Sequence, residues 1–177
     1  MDFLGSSTRA RRQEADAERV AAVEDLFHRH YQPLVRSLSF IALDREFAAD
    51  AAQEAFLQLY LKWDRVSGYE DPVAWLYRVA IYKCRDHRRA LVRAARLLER
   101  IAGAPEPEEH PAWSVEYEVL EALRTLPRRQ RVAASLFYLA DLSLEQIAGA
   151  MKVSEGTAKT HLFRARERLR KELGVKK

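Results

Sequence analysis

The chain is short of the residues that bridge, break or anchor a polypeptide. Its 177 residues include one cysteine, Cys84, so an intramolecular disulfide is excluded and a reducing compartment is the expected setting. Six glycines and six prolines leave few interruptions for helices, and no strand-like alternation persists. No apolar run approaches the ~20 residues of a membrane span. Arg9, Arg11 and Arg12 are followed by Gln13-Glu14-Ala15-Asp16, where a secretion signal needs an apolar core. The expectation is a cytoplasmic protein without membrane insertion, with residues 1–15 a disordered lead-in. Gly-rich phosphate loops, metal-ligand spacings and nucleophile motifs are also lacking. His28 and His30 stand two apart and face different sides of a helix, and His87, His110 and His161 are scattered. No catalytic residue, metal or cofactor is expected.

What the chain has is helical spacing and segregated charge. Thirty Lys and Arg against 26 Asp and Glu give a net charge of only +4, but the signs are unevenly placed. A first helical region over about 16–43 offers Val20, Val23, Phe27, Leu34, Leu38 and Ile41 as core positions, with Pro33 expected to break or bend it. A second runs from about Arg45 to Trp63. A third opens at Asp71-Pro72, an N-cap and first-turn pair, and continues to about Arg100. Pro105, Pro107 and Pro111 then mark a linker over 101–114. Between Ile101 and Leu123 there are six Glu and no Lys or Arg. Helical spacing returns at Val115, and Pro127 opens a helix to about Leu139. The fold class expected is all-α: two small helical domains, 16–100 and 115–177, joined by an acidic, Pro-rich linker.

The sharpest local signal lies between Leu142 and Arg166. Ser143 and Gln146 have capping-box spacing, and Leu142 with Ile147 can form a hydrophobic staple. Lys152-Val153 reads as a turn with Val153 inward, and Ser154 as the cap of a second helix. There Ala158, Leu162, Ala165 and Leu169 make one apolar stripe, leaving Thr157, Lys159, Thr160 and Arg164 on open faces near the start. This is the layout of a helix-turn-helix whose second helix enters the major groove. From Lys152 onward there are nine basic residues and three acidic ones, as DNA phosphates favour.

In the N-terminal half, Asp50, Gln53 and Glu54 fall within one helical turn, while Phe56, Tyr60 and Trp63 have the spacing of a packed face. In the third helix Arg78, Tyr82, Arg85 and Arg89 share a side. An aromatic ring among arginines suits single-stranded DNA, cations for phosphates and a ring for bases. Cys84, lacking a cysteine partner, reads as a buried small hydrophobe.

Together these segments resemble the sigma-70 family, specifically its extracytoplasmic-function group. The resemblance rests on Phe27-His28-Arg29-His30-Tyr31-Gln32-Pro33-Leu34, Asp50-Ala51-Ala52-Gln53-Glu54-Ala55-Phe56, Ala74-Trp75-Leu76-Tyr77-Arg78-Val79-Ala80, Leu126-Pro127-Arg128-Arg129-Gln130-Arg131 and the helix-turn-helix, in the family's order. It implies a first domain (region 2) that melts and reads the promoter −10 element and binds polymerase. It also implies a second domain (region 4) that reads the −35 element. The implied partners are promoter DNA and core RNA polymerase, through the clamp and flap regions of its large subunits, with an anti-sigma protein as a possible further partner. Asp50, Gln53 and Glu54 match the clamp-binding positions. The −10 contacts expected are Arg78, Tyr82, Arg85 and Arg89. Those to the −35 element are Ser154, Thr157, Lys159, Thr160, His161, Arg164, Arg166 and Arg168. The acidic linker resembles the segment that threads toward the RNA exit path. One departure stands out: Ile81-Tyr82 replaces the family's common Arg-Asn, whose Asn contributes to reading a flipped base. Tyr82 either stacks on a base or points inward. The loop Trp63–Glu70 corresponds to one that shapes the −10 pocket, with Gly68 expected to supply unusual backbone angles. The alternative is a stand-alone helix-turn-helix regulator, which needs its own dimer interface and a palindromic site and gives the N-terminal motifs no role.

Overall fold

A computed structural model describes residues 3–102 and 121–174, with side chains placed over 13–97 and 121–174. All regular structure among these is helical: α1 (Phe3–Ala42), α2 (Arg45–Leu61), α3 (Trp63–Val66), α4 (Pro72–Ala102), α5 (Arg128–Leu139), α6 (Leu144–Met151) and α7 (Glu155–Glu172). Residues 121–125 form a further helical turn before α5. The expected linker lies outside the described residues except for 101–102, which continue α4, and so does the expected restart at Val115.

α1 is helical from Phe3, through most of the stretch read as a lead-in. It also passes through Pro33 unbroken. Proline removes one backbone hydrogen bond, but Leu34, Leu38 and Ile41 directly beyond it are buried, and that packing holds the turn. The helix ends where Leu43 takes a left-handed φ of 61°. Val20 and Phe27, expected in the core, are exposed, and Leu26 is buried instead. The heptad-like reading was displaced by about one position because Phe27 spends its ring on neighbours near the surface, stacking on Tyr31 at 4.5 Å and meeting Phe56 edge-on at 5.0 Å.

α2 starts at Asp44, whose carboxylate accepts from the Phe47 N–H at 2.9 Å. Its inner face is a ladder of buried alanines, Ala48, Ala51, Ala52 and Ala55, small enough to let α1 approach closely. α2 stops at Lys62, and Trp63 opens the short α3, so Phe56, Tyr60 and Trp63 do not form one continuous packed face. Gly68 was expected to supply unusual angles. It has no positive φ, and a Cβ there would meet only the Arg65 carbonyl at 3.7 Å. The turn therefore does not demand glycine.

α4 begins as Asp71-Pro72 predicts, with Asp71 Oδ1 accepting from the Ala74 N–H at 2.8 Å. It packs on α1 and α2 through buried Leu76, Tyr77, Ala80 and Cys84. Its far side meets α6. The first core is therefore continuous with the second: Leu34, Leu38 and Tyr77 belong to one apolar cluster with Val132, Leu136, Ile147 and Ala158. A smaller cluster of Leu123, Leu126, Ala134 and Ala165 is closed by Phe40 of α1 and Leu169. No helix among the described residues is long and apolar enough to cross a membrane.

Candidate nucleic-acid interface

The helix-turn-helix forms by local rules. The Ser143 hydroxyl accepts from the Gln146 N–H at 3.1 Å, and the Gln146 side chain accepts from the Ser143 N–H at 3.1 Å. That completes the capping box. Leu142 and Ile147 are both buried beside it. The turn is made by Lys152, held left-handed at φ 54°, and Val153 packs inward. The Ser154 hydroxyl accepts from the Thr157 N–H at 3.3 Å and pairs with the Thr157 hydroxyl at 2.9 Å. Ala158, Leu162 and Ala165 are buried as a stripe, with Leu169 half-buried beyond them.

The eight side chains expected to face duplex DNA divide by environment. Lys159, Thr160, Arg164 and Arg168 are exposed. Ser154 and Thr157 satisfy one another at the cap, and the Thr160 hydroxyl donates to the Gly156 carbonyl of its own helix at 2.8 Å. His161 is half-buried with Nε2 unpartnered. Burial, then Arg129 and Arg164, lower its pKa, so it is a neutral imidazole and not a phosphate-binding cation. Arg166 lies over the Phe137 ring at 5.0 Å, and its Nε donates to the Tyr138 hydroxyl at 2.6 Å. It joins α7 to α5. Phe163, which sequence reasoning missed, is 61% exposed on the open face with Lys159, Thr160 and Arg164. The signal was there: it falls off the apolar stripe.

On α4, Tyr82 points outward and is 43% exposed. The Arg85 guanidinium sits over its ring at 4.1 Å. Arg89 is exposed and near Asp86 at 3.8 Å. Arg78 is half-buried, and its Nε donates to the Gly149 carbonyl of α6 at 3.1 Å. Three of the four residues thus form an open aromatic-and-cation face, while the fourth reaches into the second domain. Cys84, under this face, is buried with its thiol pushed up to about 12 by desolvation, consistent with an inert packing group.

On α2, Asp50 and Gln53 are exposed. Glu54 is turned aside: its carboxylate accepts from Lys83 of α4 and from Gln58, each at 3.2 Å. The Lys83 hydrogen bond, then that of Gln58, hold its pKa below the usual range. Leu57 and Leu61, exposed at 50% and 62%, continue the Asp50–Gln53 face along α2. The spacing contained them, but an apolar residue on a helix reads first as core.

An all-helical chain with a helix-turn-helix at one end and an aromatic-and-arginine helix at the other is a DNA-reading protein with two separate recognition surfaces. Residues 26–94 match the model of sigma-70 region 2, and residues 117–169 match that of sigma-70 region 4. The ECF RNA polymerase sigma factor SigM of Mycobacterium tuberculosis H37Rv is 32% identical, covering 93% of this chain and 87% of that one. SigM of Bacillus subtilis is 28% identical, covering 84% and 93%. Two solved structures share the fold. The sigma factor RpoE of Bartonella quintana, in complex with the anti-sigma factor NepR, has a TM-score of 0.67 at 22% identity, over 83% of this chain and 94% of that one. CnrH, in complex with the cytosolic domain of CnrY, has a TM-score of 0.64 at 21% identity, over 93% and 96%. The chain belongs to the sigma-70 family, in its extracytoplasmic-function group. It is a promoter-recognition subunit that directs RNA polymerase to initiate transcription, and the family is not enzymatic. A stand-alone regulator has no use for a region 2 domain.

Proposed function

We propose that three faces divide the work of this sigma factor. The open side of α2, Asp50 and Gln53 with Leu57 and Leu61, docks on the polymerase clamp, while region 4 engages the flap. The outer side of α4, Tyr82 with Arg85 and Arg89 and with Arg78 at its edge, holds the melted −10 strand. The open face of α7, Lys159, Thr160, Phe163 and Arg164, reads the −35 duplex. The single observation that carries this reading is the segregation of exposed side chains: DNA-compatible cations and rings lie on α4 and α7, and a mixed acidic, amide and aliphatic face lies on α2. Phe163 is suited to a thymine methyl group, as apolar side chains are in the major groove. Arg168 acts on phosphate, and Arg166 and His161 act by placing α7. An anti-sigma protein is a further partner in this reading, supported by the complex that the Bartonella relative forms.

The test uses Asp50 and Gln53, because both are open and neither holds another helix. Asp50→Ala with Gln53→Ala leaves the melting temperature unchanged and weakens co-purification with core polymerase, with transcription falling in parallel. Undiminished co-purification removes the clamp assignment. Adding Glu54→Ala also lowers the melting temperature, since it unties Lys83.

A further inference from the structure

The two DNA-reading domains are packed against each other, and the contact lies where the −10 strand is held. Arg78 donates to the Gly149 carbonyl at 3.1 Å. A Cβ placed on Gly149 would stand 3.1 Å from the Ala74 Cβ, closer than all but a few real contacts, so glycine is what lets α6 lie directly on α4. Ala74 is buried by this approach. On one side of the contact, a cleft of about 490 Å³ has the loop residues Gly68, Tyr69 and Glu70 facing Glu145 and Gly149 of α6. On the other, a cleft of about 280 Å³ has Tyr82 and Arg85 facing Arg128, Arg129 and Lys152. The surfaces proposed for strand holding thus form one wall of a closed seam, and region 4 forms the other.

This arrangement is incompatible with reading a promoter. The −10 and −35 elements are about 25 nucleotide positions apart, which at about 3.4 Å per step is about 85 Å of duplex. Small domains with a radius of gyration of about 13 Å cannot span that distance while in contact. Opening is required, and what opens is the Arg78–Gly149 and Ala74–Gly149 contact.

We propose that the seam between α4 and α6 is an autoinhibitory latch: in the free protein, region 4 covers the −10 strand face, and the domains part before that face can hold DNA. The proposal rests on the strand-holding role given to α4 above. The seam is also built to yield. The smaller cleft is lined by Arg85, Arg128, Arg129 and Lys152 with no acidic side chain among its walls. Arg85 Nε and Arg128 Nη2 are buried without hydrogen-bond partners. Like charges drawn together across the seam oppose closure, so the latch is held by apolar packing against electrostatic strain. Salt screens charges beyond about 8 Å at physiological ionic strength. Raising it therefore favours the closed form, opposite to the effect on a seam of ion pairs.

The test uses the full-length protein in two variants. Gly149→Gln places a side chain against Ala74 and wedges the seam, while improving the helix propensity of α6. Ala74→Cys with Gly149→Cys locks it, the Cβ atoms needing to part by about half an ångström to reach disulfide spacing. Small-angle scattering reads closure, and fluorescence anisotropy with an oligo-dT of about 12 nucleotides reads the strand face. If nine-tenths of the free protein is closed, the wedge tightens oligonucleotide binding by about tenfold and enlarges the radius of gyration. The oxidised lock stays compact and loses binding, and reductant restores it. Wild-type scattering becomes more compact as sodium chloride rises from low concentration. Equal affinity of wild type, wedge and oxidised lock overturns the latch, as does an enlarged radius without tighter binding. Tyr82→Ala in the wedged background separates the two layers of the argument. Loss of the gained binding supports the latch. Gained binding that survives moves the strand face off α4 and overturns that reading, while scattering still reports the closure by itself.

Discussion

At the scale of single residues, the decisive quantity is whether a side chain is free or already engaged. Tyr82 is free: its ring is 43% exposed and lies beneath the Arg85 guanidinium. A base stacked on such a ring is worth about 1–3 kcal/mol. Tyr82→Phe is therefore expected to retain promoter opening and Tyr82→Ala to lose most of it, both melting within a degree or so of wild type. Permanganate footprinting of open complexes beside thermal unfolding checks this. An unchanged footprint for Tyr82→Ala removes the stacking role. Arg164 is free on α7, and an arginine bidentate to guanine discriminates by about 1–3 kcal/mol. Arg164→Ala is expected to relax preference at one or two −35 positions. Arg168→Ala is expected to weaken every −35 variant alike and reduce the salt slope by about one. Competition binding of the polymerase holoenzyme across a −35 library distinguishes the two patterns. Arg166 and His161, by contrast, are engaged with Tyr138 and with burial, which no spacing rule in the sequence discloses.

At the scale of elements, helix ends are held by side chains whose protonation matters. Asp44 caps α2 and also meets His87 Nε2 of α4 at 3.1 Å, while that imidazole stacks on Phe47 at 3.7 Å. The hydrogen bond from Phe47, with further contributions from His87, holds the Asp44 pKa below 3.8. A carboxylate whose folded pKa is depressed gives stability that is present above its unfolded value and lost as pH falls through the folded one. His30, edge-on to Tyr77 at 6.2 Å, has its pKa lowered from 6.5 by burial and then by Arg29. Protonation there opposes the folded state, so the loss begins as pH falls below 6.5. Acid thus weakens the fold in two windows. Asp44→Ala is expected to cost about 1 kcal/mol at neutral pH. Asp44→Asn, which can still cap, costs less and flattens the lower window only. Urea unfolding from pH 7 to pH 3 reads both. A lower window of undiminished depth in Asp44→Asn assigns the acid loss to other carboxylates.

At the scale of the whole molecule, the two domains share a core. Phe40 belongs to α1, yet it closes the region 4 cluster of Leu123, Leu126, Ala134 and Ala165. Phe40→Ala removes apolar surface that a half-buried ring covers, expected to cost about 1–2 kcal/mol. Because the ring stands at the junction, amides of α5 and α7 are expected to lose hydrogen-exchange protection beyond those of α2. Uniform loss across both domains makes Phe40 an ordinary region 2 residue.

The elements were largely legible in the sequence because their signals are local. Asp71-Pro72, the Ser143–Gln146 box, the Ser154 cap and the Ala158–Leu162–Ala165 stripe each depend on residues within one or two helical turns. Propensity and capping act there without help from distant chain. Pro33, Val20 and Phe27 were misread for the complementary reason. Whether a proline breaks a helix, or an apolar residue enters the core, depends on which neighbour arrives, and that neighbour is a separate helix. Tyr82 was left between two orientations by spacing alone, and the packing of α4 turned it outward. Glu54 matched a motif, and only the approach of Lys83 from α4 drew it aside. The sequence by itself determined the helices, their caps, the helix-turn-helix and the family. The tertiary structure alone decided which motif residues are free, that Phe40 completes the second domain, and that α6 lies on α4. Those outcomes are set by contacts between residues far apart along the chain, such as Arg78 and Gly149, whose meeting no local period encodes.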